Sequence, residues 1–312
     1  MWAGARDRRE RSVMRYGFIG LGSLGGHLAM SLVRSGVELT VHDRNPALAE
    51  RHLSAGAAWA TSSAELAARS DAVITCLPSP AVSEAVLGDL LGALAPDATW
   101  IEMSTLGPEE IVRLASLAQA AGIRVLEAPV TGGVHLAAQG RITVLAGGEA
   151  DLLEAQRPAL GAMGDRIFHM GPLGAAAKIK VITNMLAFIH LVATGEALML
   201  AKRGGLDLAQ AWRAIGASSG NSFVHETEGQ LILNGSYDIA FTMDLALKDL
   251  GFALEMGREA GVPLALAGRA QDSFVQGKAA YGGSAQSTQV VKLLEDLLET
   301  ELRAHGFPAR LT

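Results

Sequence analysis

Cysteine is almost missing from these 312 residues: Cys76 stands alone. A single thiol excludes an intrachain disulfide and a cage of thiolate metal ligands, and it fits a reducing cytoplasm. Eight histidines are present, but none falls four residues from another, so no helical His pair is available to a metal. Positive charge is not in excess either. A formal charge of -6 and a pI near 5.8 exclude the basic face that a nucleic-acid binder needs. Internal repeats and low-complexity tracts are absent. The most apolar stretch, Val181 to Leu200, contains Asn184, His190 and Glu196, which favours a buried core helix over a bilayer span. Residues 1–13 carry four arginines without an apolar segment or a cleavage pattern, so no signal peptide is expected. They read as a disordered leader, with Met14 as a candidate functional start.

What is present divides in two. Between Tyr16 and about Gly171, short apolar runs near 16–20, 37–42, 72–77, 99–103, 124–127, 142–146 and 166–169 alternate with helical patterns such as "GGHLAMSLVRSG" and "PEEIVRLASLAQAAG". This alternation predicts an α/β domain over 14–173, a doubly wound and largely parallel sheet with helices on both faces. From residue 174 to 312 strand-like runs vanish and helical periodicity continues, which predicts a second, all-helical domain.

Two stretches carry chemistry. The first strand runs directly into Gly20-Leu21-Gly22-Ser23-Leu24-Gly25 and then into an amphipathic helix. In that context a G-x-G-x-x-G loop accommodates a dinucleotide pyrophosphate at a helix N-terminus. Asp43, 18 residues after Gly25, can accept hydrogen bonds from ribose hydroxyls, whereas Arg44 suits a 2′-phosphate. NAD is favoured, with NADP open; a helix cap is the plain alternative for Asp43. Leu77-Pro78 and Thr105 follow the third and fourth expected strands, where ligands sit in open α/β sheets. Thr131, Gly132 and Gly133 expose backbone N–H groups suited to a carboxylate.

The second stretch is "AAAKIKVITNML", residues 175–186. On a helix Lys180 shares a face with Asn184, four residues on, while Lys178 meets only Ile182. A partly buried lysine beside an amide suits a general acid/base, and two snorkelling lysines at a domain edge are the alternative.

With these motifs in view, the chain resembles the β-hydroxyacid dehydrogenase family from Met14 to about Leu302. The resemblance is carried by "GFIGLGSLGGHLAMSLVRSG", by "EAPVTGGVHLAAQG", with Glu127 and Thr131 where the family pattern has Asp and Ser, and by "GPLGAAAKIKVITN". It implies a Rossmann domain, a helical domain that also forms a homodimer or homotetramer, and catalysis by Lys180 with Asn184 orienting a small carboxylate-bearing substrate. It further implies that Lys248, Leu77, Pro78 and Thr105 contact the cofactor and that Phe241 and Asp249, from "FTMDLALKDL", belong to the closed site. Asn221 and Ser222, in "GASSGNSFVHETEG", are expected to line the pocket. Two departures stand out: Ala176 replaces a common Gly, and Asp43-Arg44 matches neither the NAD-type nor the NADP-type pattern. Imine reduction on the same fold is the nearest rival, though its enzymes usually lack the lysine. A non-catalytic nicotinamide-binding protein would need neither Lys180–Asn184 nor the Thr131 site. No metal, nucleic-acid or membrane partner is expected.

Overall fold

The computed structural model describes residues 14–312, so the leader expected at 1–13 lies outside the described residues. Among the described residues nine strands form one sheet: β1 (Arg15–Ile19), β2 (Glu38–His42), β3 (Ala58–Trp59), β4 (Ala72–Thr75), β5 (Thr99–Glu102), β6 (Arg124–Glu127), β7 (Val130–Thr131), β8 (Thr143–Gly147) and β9 (Arg166–Gly171). Their order is β3-β2-β1-β4-β5-β6-β8-β7, with β9 on β8. The first six pair in parallel, β8 runs antiparallel to β6 and β7, and β9 returns parallel to β8.

Strand periodicity explains why both faces are covered. Phe18, Ile74, Ile101 and Leu126 enter one apolar layer, and their neighbours Ile19, Val73, Trp100 and Val125 enter the other. Helices therefore pack on each side. β1 leads through the glycine loop into helix Gly25–Arg34, which drives Leu28 and Leu32 into the first layer.

Beyond Gly174 the described chain is helical. Its axis is the long helix Ala175–Arg203, 29 residues and so about 43 Å. That helix is long and apolar enough to cross a membrane by length and composition. Here it packs against helices Met243–Glu259 and Ala265–Tyr281, and the third apolar cluster gathers Phe188, Leu191, Leu198, Leu250 and Phe274. It also touches β7, β8 and β9, and Ala176 N and Ala177 N near its start donate to Glu127 on β6, so the segment carrying Lys180 lies on the seam between sheet and helices.

Candidate active site

The glycine loop has the shape a pyrophosphate requires. Gly20 adopts φ +99°, and a side chain there would meet the Cys76 carbonyl oxygen at 2.3 Å. Gly25 lies so close to β1 that a Cβ would approach the Gly20 carbonyl oxygen to 2.1 Å, whereas Gly22 faces open space. Leu24, the N-cap of helix Gly25–Arg34, makes no side-chain cap bond, and within the loop Gly26 N donates to the Gly22 carbonyl at 2.9 Å. Ser23 is exposed and Leu24 half-buried.

At the end of β2 the Asp43 carboxylate is tied to the backbone. Leu21 N donates to Oδ2 at 2.7 Å and Asn45 N donates to Oδ1 at 2.8 Å. Asp43 is thus no helix cap; that place is taken by Asn45, whose side chain accepts from Ala47 N. Arg44 is exposed and, with Asp43, His42, Trp59 and Thr61, lines a cleft of about 820 Å³ beyond the strand ends. The loops after β4 and β5 are cross-linked: Leu77 N donates to Ser104 Oγ at 2.7 Å, and Ser104 N donates to Glu102 Oε1 at 2.7 Å. Pro78 beside them is exposed.

Across the seam one hydrogen-bonded chain joins the two domains. Lys180 Nζ donates to Asn184 Oδ1 at 2.8 Å, and Asn184 Nδ2 donates to Asp249 Oδ2 at 2.6 Å. Lys248 Nζ donates to Asp249 Oδ1 at 2.7 Å and to the Thr105 carbonyl oxygen at 2.9 Å. Lys248 also lies over the Phe252 ring, 5.0 Å from its centroid. Lys180 is 8% exposed, whereas Lys178 is exposed on the helix surface. Burial lowers the Lys180 pKa to about 8; the Asp249 charge pulls it back up and the Lys248 charge pushes it down.

A glycine loop between β1 and a helix on a largely parallel sheet, followed by a helical domain, is the architecture that the comparisons with known proteins also give. Residues 15–171 match the NAD binding domain of 6-phosphogluconate dehydrogenase, and residues 174–294 match the NAD-binding domain of NADP-dependent 3-hydroxyisobutyrate dehydrogenase. A 2-(hydroxymethyl)glutarate dehydrogenase from Eubacterium barkeri is 33% identical over 292 residues, 92% of this chain and 97% of that one. The chain belongs to the β-hydroxyacid dehydrogenase family. It is an NAD(P)-dependent oxidoreductase of that type. The 3-hydroxyisobutyrate dehydrogenase of Mycobacterium tuberculosis, solved with L-serine, superposes with a TM-score of 0.82 at 29% identity, covering 91% of this chain and 99% of that one. An imine reductase from Myxococcus stipitatus, 18% identical with a TM-score of 0.61 over 90% of this chain and 99% of that one, shares the fold alone.

Against this family frame the other expected residues fall unevenly. Gly132 and Gly133, directly after Thr131, take φ +124° and +83°, backbone that favours glycine. Phe241 packs on Phe188, with ring centroids 6.0 Å apart, while its backbone bonds Gln286 and Ser287. Asn221 and Ser222 are occupied locally. Asn221 Nδ2 donates to Glu226 Oε1, and Ser222 Oγ caps helix Phe223–Glu226 by accepting from His225 N. The side chain reaching across from that segment is Phe223, 53% exposed and stacked on His135 with centroids 6.2 Å apart.

Sequence reading passed over His135 and Phe223, and it gave no role to two buried carboxyls. Glu102 has its Oε2 without a partner, and burial raises its pKa. Glu127 accepts from Ala176 N and Ala177 N. A glutamate closing a strand directly after two apolar residues, as in "TWIE" and "RVLE", was the available signal for both. Among the described residues no cluster of His, Cys, Asp and Glu could hold a metal ion.

Proposed function

We propose that this protein interconverts a small 3-hydroxy acid and its semialdehyde, with Lys180 as general acid and base. The observation that carries the reading is the buried Lys180 amine, bonded to Asn184 at the domain seam. Bound nicotinamide supplies hydride to the aldehyde carbon or takes it from the hydroxyl-bearing carbon. In reduction the Lys180 ammonium protonates the developing alkoxide; in oxidation its neutral amine removes the hydroxyl proton. Asn184 orients the reacting oxygen. Thr131, Gly132 and Gly133 hold the carboxylate, and anchoring it there fixes the reacting carbon in place. Asn221, Ser222 and Phe241 complete the pocket wall. Asp249, with both oxygens engaged, holds Asn184 and Lys248 in register. Gly20 to Gly25 cradle the pyrophosphate, and Leu77, Pro78, Thr105 and Lys248 line the nicotinamide side. Residues 14–173 and 174–312 act as the two domains, in a reducing cytoplasm. Turnover of 3-hydroxyisobutyrate, L-serine and 2-(hydroxymethyl)glutarate with each cofactor tests the reading. Tight NADH or NADPH binding without turnover of any 3-hydroxy acid or semialdehyde would leave the non-catalytic alternative.

NAD is the favoured cofactor because Asp43 places a carboxylate where a 2′-phosphate would be repelled. Asp43→Ala is expected to raise the KM for NAD about tenfold, the scale of one lost charge-assisted hydrogen bond, and to change that for NADP less. Equal shifts would reduce Asp43 to a tie for the glycine loop through Leu21 N.

A homodimer or homotetramer built through the helical domain is part of the same proposal. Ile182 and Leu186, four apart on the long helix, are 38% and 44% exposed. Ile182→Glu with Leu186→Glu is expected to shift sedimentation toward the monomer. A wild-type chain that sediments as a monomer at micromolar concentration would rule the assembly out.

A further inference from the structure

The long helix begins without a side chain to cap it. Its N-cap is Gly174, and no cap bond comes from within the helix. Ala175 N donates to the Pro172 carbonyl, but the next two N–H groups find no partner nearby in sequence. They donate to Glu127 on β6: Ala176 N to Oε1 at 2.9 Å and Ala177 N to Oε2 at 3.0 Å. The Gly174 amide faces the same carboxylate. The bond that Thr242 gives the start of helix Met243–Glu259 from the adjoining residue is here supplied by the sheet. Glu127 is 1% exposed, and Gly147, its partner on β8, makes room for it. The Gly147 backbone is not left-handed, yet a Cβ there would lie 2.2 Å from Glu127 Oε1.

We propose that Glu127 is the positioning residue of Lys180, clamping the first turn of the long helix to the sheet so that the amine meets the cofactor cleft at a fixed height and rotation. The proposal rests on the hydride-transfer reading above. Two anchored N–H groups fix both the rise and the rotation of that turn. Lys180 follows Ala177 by three residues, so any drift of the turn is passed to the amine and to Asn184 on the same face.

Glu127→Gln keeps the volume but sets an amide donor against the helix N–H groups. The expected result is a fall in kcat of about 10- to 100-fold, the scale of an ångström of misplacement. Cofactor affinity, read by NAD(P)H fluorescence, stays unchanged. Gly147→Ala, which keeps the carboxylate but displaces it, gives the same split and serves if Glu127→Gln folds poorly. The losses in Glu127→Gln and Lys180→Met do not multiply, because both act through one amine. Titration of the Lys180 amine by isotope-labelled lysine NMR moves from about 8 toward the ordinary lysine value in Glu127→Gln as water reaches the loosened turn. Multiplicative losses, or an unmoved titration with wild-type kcat and only a lowered melting temperature, overturn the proposal. Wild-type turnover in Lys180→Met would instead remove Lys180 as the general acid and base of the proposed reaction, and the amine titration alone would then decide whether Glu127 positions it.

Discussion

Lys180→Met is expected to lower turnover by about 10²- to 10⁴-fold, the span usual for removing a general acid or base, with cofactor affinity near wild type. Methionine matches the length and apolar character of the lysine stem, so the seam around a residue only 8% exposed stays filled. What disappears is the proton carrier and the bond to Asn184 Oδ1. Stopped-flow reduction of a semialdehyde and steady-state oxidation of the hydroxy acid both read the loss. Unimpaired turnover in either direction would remove Lys180 from the mechanism.

The same amine sets opposite pH dependences for the two directions. With its pKa lowered to about 8 by burial, Lys180 is mostly ammonium at neutral pH. Reduction needs that ammonium, so its rate is high below about 8 and falls as the pH rises through it. Oxidation needs the neutral amine, so its rate climbs through the same region. About a tenth of the amine is neutral at pH 7, where an ordinary lysine would offer well under a thousandth. Profiles of both directions crossing near one value check this; parallel profiles contradict it.

Local features of the site were legible in the sequence. The glycine loop is contiguous, and Lys180 with Asn184 follows from the helical repeat, since residues four apart share a face. The strands that alternate between two apolar layers were legible for the same reason. β3 and β7, at two residues each, are too short to carry a pattern, and the antiparallel turn at β8 leaves no periodic trace. Contacts between distant residues were hidden. Asp249 lies 65 residues from Asn184, Lys248 lies 143 from Thr105, and Glu127 lies 49 from Ala176. Phe241, Lys248 and Asp249 came into view only through family resemblance. At Asn221 and Ser222 the polar side chains suit a pocket wall and a helix end equally well, and nothing in "SSGNSF" revealed that they also bond Glu226 and His225 at the start of helix Phe223–Glu226.

Asp249→Asn should produce the other large effect, and its signature differs from that of Lys180→Met. The carboxylate is 1% exposed and accepts from two donors at once, Asn184 Nδ2 and Lys248 Nζ. An amide offers one oxygen, so one donor must face an NH2 group. Breaking a buried charged pair costs about 3–5 kcal/mol, and the loss here lies at or below that range because Lys248, 19% exposed, can turn toward water. Turnover is expected to fall about 10- to 100-fold as Asn184 loses its fixed orientation. The decisive readout is again the pH profile. The Asp249 charge holds the Lys180 pKa up, so removing it moves the oxidation limb to lower pH. The Lys248 charge holds that pKa down, so Lys248→Met moves the same limb to higher pH. Opposite displacements from two adjacent residues are hard to obtain by loosening the fold, which would carry both limbs toward the ordinary lysine value. If both variants shift the limb the same way, the coupling of Lys180 to this pair is wrong.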